Sequence, residues 1–246
     1  MKPKIALSYI HPGSVRHEFM DSVIHVLNDE RYDIVRGRVQ SGTNVQVARN
    51  EMTRWFLQSD REWMWFLDAD MVFDGDIPGK LIAHDKPIVS ALYLGQGVGG
   101  DPFVVGHRYS TDGSLLSYLK RDDLDGLTEV AGVGMGCCMI RRDVLEAMGE
   151  NGHPHQWPFA MGGLQNSYLG EDVGFCVRAG SMGYKSYIDG DAFVGHVKSF
   201  ILAPDAEGEA LGKALKRDVE NELKAEPSKD YKPMPVRIRI PALKDR

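Results

Sequence analysis

Trp63-Met64-Trp65-Phe66-Leu67-Asp68-Ala69-Asp70 is the stretch on which the fold turns. Five consecutive large apolar residues are the length of a strand, and an apolar run without polar alternation fits a central strand covered on both faces of its sheet. The run stops at one carboxylate, and a second follows two positions later. Neither can enter the core without a large desolvation penalty, so the strand has to emerge where water or a cation is available. In an extended segment Asp68 and Asp70 project to one side. Such a sparse oxygen pair suits magnesium or manganese, which keep positions open for further oxygen ligands. An Asp-x-Asp triplet is common by chance; what gives this one weight is its place at the end of a buried run.

Upstream, residues 5–10 read as a second buried strand, followed by the turn His11-Pro12-Gly13-Ser14 with Ser14 placed to cap a helix. Val15, Phe19, Val23 and Leu27 recur at helical spacing. A strand over 32–39, the loop Gln40-Ser41-Gly42-Thr43, and a helix from about Asn44 with Ala48, Met52, Trp55 and Phe56 on one stripe complete the first third. Strand, helix, strand, helix, strand is the order of a parallel, doubly wound sheet, whose ligands bind beyond the carboxyl ends of its strands. His11 and Asp68 both fall at such ends.

Downstream the pattern predicts a short helix over 78–84, a strand over 88–94 and a mobile glycine-rich loop over 95–100, which no helix follows as a phosphate cradle requires. Residues 103–108 and 115–119 read as a hairpin turning at Asp112-Gly113, so the second half of the sheet is mixed. A strand over 137–140 and a helix over 141–148 come next, then a loop over 153–163. Gly170-Glu171-Asp172 opens a helix with Val173, Cys176 and Val177 on one face, ending near Gly183, and 184–188 is a last strand. Leu211, Leu215, Val219 and Leu223 mark a C-terminal helix, dividing the chain into a domain over 1–203 and an appendage over 204–246.

A chain of 246 residues with 43% hydrophobic content can bury one large α/β core. Its first residues lack the apolar core and cleavage pattern of a signal peptide, and nothing approaches a membrane span, so no stable membrane insertion is expected. Of three cysteines, Cys137 and Cys138 are adjacent and Cys176 is distant, which gives neither a disulfide framework nor zinc-ligand spacing. These features together predict a cytoplasmic protein. The formal net charge of −6 argues against indiscriminate binding to phosphate backbones. The tail runs the other way, with Lys229, Lys232, Arg237, Arg239, Lys244 and Arg246 against Asp230 and Asp245. Interrupted by Pro227, Pro233, Pro235 and Pro241, it reads as a solvated extended tail, with contact to an anionic acceptor as the lesser reading.

Two further constellations carry chemistry. Asp172, at the start of a helix whose dipole favours its ionised form, is a candidate general base for an attacking hydroxyl, with Glu171 beside it; the plain alternative is that both only cap the helix. His196, in Gly195-His196-Val197, reads on its own as a structural histidine. His153-Pro154-His155 reads as a loop without metal, and Trp157 and Phe159 either stack on a ligand ring or fill that loop. Cys137 and Cys138 are expected as buried thiols, and Trp63 and Trp65 as packing residues. Gly132, Gly134 and Gly136 either let the backbone approach a ligand or relieve crowding at a bend.

Taken in order, Val47-Ala48-Arg49-Asn50 opening a helix, Trp65-Phe66-Leu67-Asp68-Ala69-Asp70 on a strand, Gly170-Glu171-Asp172 and Gly195-His196-Val197 resemble the GT-A glycosyltransferases over residues 1 to about 200. The likeness is greatest to small stand-alone members from bacteria and their phages. It implies one α/β GT-A domain, a Rossmann-like nucleotide-diphospho-sugar transferase with a mixed central sheet. The implied activity is metal-dependent transfer from a nucleotide sugar, a UDP-sugar by family frequency, to a hydroxyl of a protein, a saccharide or a hydroxylated DNA base. It also implies that Asp68, Ala69 and Asp70 hold the donor, that Asp68, Asp70 and His196 hold Mn2+ or Mg2+, that Tyr9, Ile10 and His11 lie near the base, and that Arg49 lies near the ribose or diphosphate. The Glu171-Asp172 pair resembles inverting members, while the stretch from Glu171 to His196 is also similar to retaining ones, so stereochemistry stays open. Two rivals stand beside it: a haloacid-dehalogenase-type phosphohydrolase with Asp68 as nucleophile, and a nucleotide-sugar or carbohydrate-binding module without turnover.

Overall fold

The computed structural model describes residues 2–41, 44–96, 102–109, 116–150, 162–164 and 167–198, and residues 1–198 form one compact unit. Seven strands make the central sheet: β1 (Lys4–His11), β2 (Asp33–Gln40), β3 (Trp63–Asp68), β4 (Ile88–Leu92), β5 (Leu127–Val130), β6 (Cys137–Arg141) and β7 (Ser186–Phe193). Their spatial order is β5-β7-β4-β6-β3-β1-β2. β1 runs parallel to both β2 and β3, and β7 runs parallel to β4. β6 lies antiparallel between β3 and β4, and β5 lies antiparallel at the edge on β7. Five strands therefore share one direction, and their carboxyl ends share one rim.

The interior follows the two-residue period of the strands. Ile5, Leu7, Tyr9, Trp65, Leu67, Cys137 and Met139 face one core, into which α1 (His17–Leu27) and α3 (Ile77–Ala83) send Phe19, Val23, Ile77 and Leu81. Ala6, Met64, Phe66, Cys138 and Ile140 face the other, filled by Met52 and Phe56 of α2 (Val45–Leu57), Val144 and Leu145 of α4 (Arg142–Glu150), and Phe175 and Cys176 of α5 (Glu171–Ser181). The expected two-sided burial of residues 63–67 is what the sheet shows. Asn44 caps α2, its side chain accepting from the Val47 N–H at 3.2 Å. Arg142 closes the other end of that helix, donating to the carbonyls of Phe56 and Ser59.

Several expectations need correction. Ser14 does not cap α1: Gly13, at φ 126°, turns the chain back over His11, and the helix starts at His17 with no side-chain cap. Residues 103–108 are not one strand. Pro102–Val104 pairs with Leu94–Gln96, Gly106–Tyr109 pairs with Leu116–Tyr118, and the break falls at Val105. Gly95 and Gln96 thus belong to a strand, where the Phe103 ring packs 2.5 Å from the place a Cβ of Gly95 would take. β5 was not anticipated, because Leu-Thr-Glu-Val lacks a strong apolar signal, and β7 runs five residues past the expected end at Ile188. Gly162–Leu164, overlapping the end of the loop expected over 153–163, pairs with Ser167–Leu169. Asp112-Gly113, His153, His155, Trp157, Phe159, the C-terminal helix and the basic tail lie outside the described residues. Among the described residues no helix is long and apolar enough to cross a membrane.

The three glycines before β6 are crowded. Tyr93, just after β4, is buried and its hydroxyl accepts from the Gly136 N–H at 3.0 Å. A Cβ on Gly134 would lie 2.1 Å from that hydroxyl, and one on Gly136 would lie 2.5 Å from Met71 Cε; Gly132 is held against Val173.

Two outcomes follow from this packing. Gly136→Ala is expected to cost about 1–3 kcal/mol, as overpacking does, and to lower the urea midpoint without changing the slope. All three cysteines are buried, and burial pushes Cys137 up to about 12, Cys176 up to about 11 and Cys138 well above the ordinary thiol range. A thiol-reactive chromophore at pH 8 should therefore find none of them in the folded protein and all three after denaturation.

Candidate active site

The carboxyl ends of the parallel strands open into a cleft of about 380 Å3. Asp68 reaches it because β3 ends there, and Tyr93 because it follows β4. α5 points its first turn at the same space: Gly170 is the N-cap residue, and Glu171 and Asp172 both line the cleft. Asp172 Oδ1 accepts from the Val173 N–H at 2.7 Å, which fixes its carboxylate at the positive end of the helix. The fourth contribution comes from a small ribbon. Met71–Val72 pairs antiparallel with Gly195–His196, and the Val197 N–H donates to the Asp70 carbonyl at 2.8 Å. That pairing sets His196 beside Asp70, although 126 residues separate them.

Arg49 is the buried cation of the site. Its side chain is only 6% exposed, and its guanidinium donates to Asp68 Oδ1 at 3.3 Å and to Glu171 Oε1. Burial alone would lower its basicity, but the carboxylates of Asp68, Glu171 and Asp172 outweigh burial and raise it, so the group stays charged. A planar guanidinium spans two carboxylates on different elements, tying β3, α2 and α5 at one point.

Asp70, His196 and Lys198 form a second cluster. The His196 ring packs edge-on against Tyr93, with centroids 5.8 Å apart. Its Nδ1 is 2.7 Å from the Leu94 carbonyl, an acceptor, so Nδ1 carries the proton and Nε2 faces Asp70 Oδ2 at 3.0 Å. Lys198 Nζ lies 3.3 Å from the same carboxylate oxygen and against the same ring nitrogen. Half-burial alone would raise the Asp70 carboxyl; its neighbours His196 and Lys198 outweigh burial and hold it below the usual carboxylate range.

Two of these groups, the Asp70 carboxylate and the His196 ring nitrogen, are donors of the kind a divalent cation takes. A histidine whose Nδ1–H is tied to a backbone carbonyl is the usual arrangement around a ligating Nε2. The full expected donor set is not gathered: among the described residues no group of three His, Cys, Asp or Glu side chains could hold a metal. The reason is local. β3 ends at Asp68 and the chain turns over Ala69 and Asp70, so the two aspartates do not share a strand face; Asp68 is drawn to Arg49 and Asp70 to His196.

Of the remaining sequence candidates, Ile10 is buried opposite Asp68, and Tyr9 is turned into the core against Phe19. At the end of β1 the half-exposed group is His11, whose Nδ1 accepts from the Gly13 N–H. Ala69 is buried between the two aspartates. The structure adds Tyr93 and Lys198, which sequence reasoning missed. Lys198 had one available signal: it stands two residues after His196, the spacing that puts neighbours on one side of an extended chain.

Arg49→Met should cost about 1–3 kcal/mol, less than a fully buried pair because water can reach the two carboxylates it leaves unpaired. Arg49→Lys should recover only part, since one ammonium cannot reproduce the fork; urea titration of the three proteins reads both effects.

No protein-family model and no curated protein sequence matches this chain. Among solved structures it is similar to the crystal structure of GalNAc-T7 with UDP, GalNAc and Mn2+, at a TM-score of 0.55 and 13% identity, covering 81% of this chain and 44% of that one. The chain thus spans less than half the length of that protein. It also matches the crystal structure of A197 from STIV, at a TM-score of 0.44 and 18% identity, covering 81% of this chain and 97% of that one. The mixed seven-stranded sheet with helices on both faces is accordingly a GT-A-like, Rossmann-type fold.

Proposed function

We propose that this chain is a metal-dependent glycosyltransferase that moves a sugar from a nucleotide-sugar donor, a UDP-sugar first, to a hydroxyl of a protein, a saccharide or a hydroxylated DNA base. The observation that carries this reading is the cleft. Asp68, Glu171, Asp172 and His196 come from distant segments and line one open space at the carboxyl ends of the strands. They do so on a fold shared with a protein crystallised with UDP, GalNAc and Mn2+. A fold by itself hosts many reactions, so the weight rests on the carboxylates and the histidine.

In this reading Asp68, with the Ala69 backbone, holds the donor sugar and ribose, and Arg49 keeps Asp68 and Glu171 in place. His11, with the end of β1, borders the base. Asp70 and His196 hold Mn2+ or Mg2+, which when bound supplies charge stabilisation to the leaving diphosphate. Asp172 stands on the acceptor side at the helix start, and in an inverting reaction receives the proton of the attacking hydroxyl. A retaining reaction needs no such base, so the anomer of the product decides its role.

The test is a panel of nucleotide sugars, with and without Mn2+, read by thermal shift and by release of nucleoside diphosphate. One donor is expected to stabilise the protein and to be turned over only with metal. Asp70→Ala should lower turnover by roughly a hundredfold or more, the scale of losing electrostatic stabilisation of a leaving group. Asp172→Asn should keep donor binding and lose roughly a hundred- to ten-thousandfold in turnover if it is the base. A folded protein that responds to no donor would overturn the proposal, and hydrolysis of a generic phosphate ester would favour the phosphohydrolase instead.

A further inference from the structure

Lys198 has no place in the scheme above, yet it makes the closest approach to the two groups best suited to hold the metal. Its Nζ is 3.3 Å from Asp70 Oδ2 and contacts His196 Nε2, while those two atoms are themselves 3.0 Å apart. An ion bound by both atoms lies about 2.1 Å from each. An ammonium touching the same oxygen and the same nitrogen stands in the space that such an ion and its remaining ligands need. Two positive charges a few ångströms apart also repel strongly in a partly dry cleft. The side chain is one-third exposed and lines the cleft beside Asp68 and Asp172, so it has room to swing toward a ligand there.

We propose that Lys198 is a tethered cation that competes with the divalent metal for Asp70 and His196, and that a nucleoside diphosphate draws its ammonium away, so that metal and nucleotide bind in cooperation. Without nucleotide, Lys198 neutralises Asp70 and keeps the donor pair assembled but closed. An anionic diphosphate in the cleft offers the ammonium stronger partners, and its departure frees both electron-pair donors. The apparent metal affinity is then the intrinsic affinity scaled by the fraction of molecules in which Lys198 is displaced, and linkage requires metal to strengthen nucleotide binding by the same factor. The first part of this proposal concerns the metal alone; only the nucleotide part rests on the donor reading above.

The experiment titrates Mn2+ by electron paramagnetic resonance of the free ion into the full chain, for wild type, Lys198→Met and Lys198→Arg, each shown by circular dichroism to be folded. Asp70→Asn serves to locate the bound ion. Without nucleotide, Lys198→Met should bind Mn2+ roughly tenfold tighter than wild type or more, corresponding to a site that is free about a tenth of the time. Lys198→Arg should stay weak, and Asp70→Asn should lose the gain when combined with Lys198→Met. Equal affinity in wild type and Lys198→Met, or no Mn2+ binding by either, overturns the proposal. The titrations are repeated with saturating UDP, which should tighten Mn2+ binding in wild type and much less in Lys198→Met. An equal effect of UDP on both overturns the cooperative part. If UDP binds neither protein, the nucleotide-sugar reading fails instead, and the metal titrations still judge the competition.

Discussion

A strand buried on both faces has no place for charge along its length, and that constraint at β3 organises the molecule. Trp63, Trp65 and Leu67 feed one core and Met64 and Phe66 the other, so the first carboxylate has to wait for the rim. Once there, Asp68 cannot stand alone beside buried Tyr93 and Met135. Arg49 answers it from inside α2, and Glu171 shares the same guanidinium. A cation this deep is tolerable only because partners surround it. The arrangement makes the sheet, α2 and α5 mutually dependent at one point, beside the cleft.

Each carboxylate of the cleft already has a partner within the protein. Asp68 and Glu171 face Arg49; Asp70 faces His196 and Lys198; Asp172 faces the Val173 N–H at the start of α5. A ligand therefore has to exchange partners with groups already satisfied. Selectivity in such a site comes from what it is able to replace, more than from vacant charge.

Much of this was legible in the sequence because it is encoded locally. The apolar run at 63–67 and the stripe Ala48, Met52, Phe56 each specify an element without knowledge of the rest. So do the Asp-x-Asp and Glu-Asp positions at element ends. What was not legible depends on pairing between distant segments. The ribbon joining Met71–Val72 to Gly195–His196, the edge strand β5 and the break at Val105 have no local signature, because short strands are stabilised by whatever lies across from them. The division of labour between Asp68 and Asp70 belongs to the same class. Alternation predicts one shared face, and the turn at Ala69 undoes it for reasons found near residue 196.

The antiparallel placement of β6 also dictates an order of assembly. β1, β2 and β3 find one another within the first 68 residues through short helical crossovers. β4, fully buried in the finished sheet, pairs only with β6 and β7, both made later. A nascent chain that has reached residue 92 therefore carries an apolar strand with both of its edges unanswered, the condition under which strands join the wrong neighbour. Arg49 waits longer still for Glu171. The unit of β1, β2 and β3 is complete early, whereas protection of β4 from aggregation and assembly of the cleft both depend on segments synthesised much later.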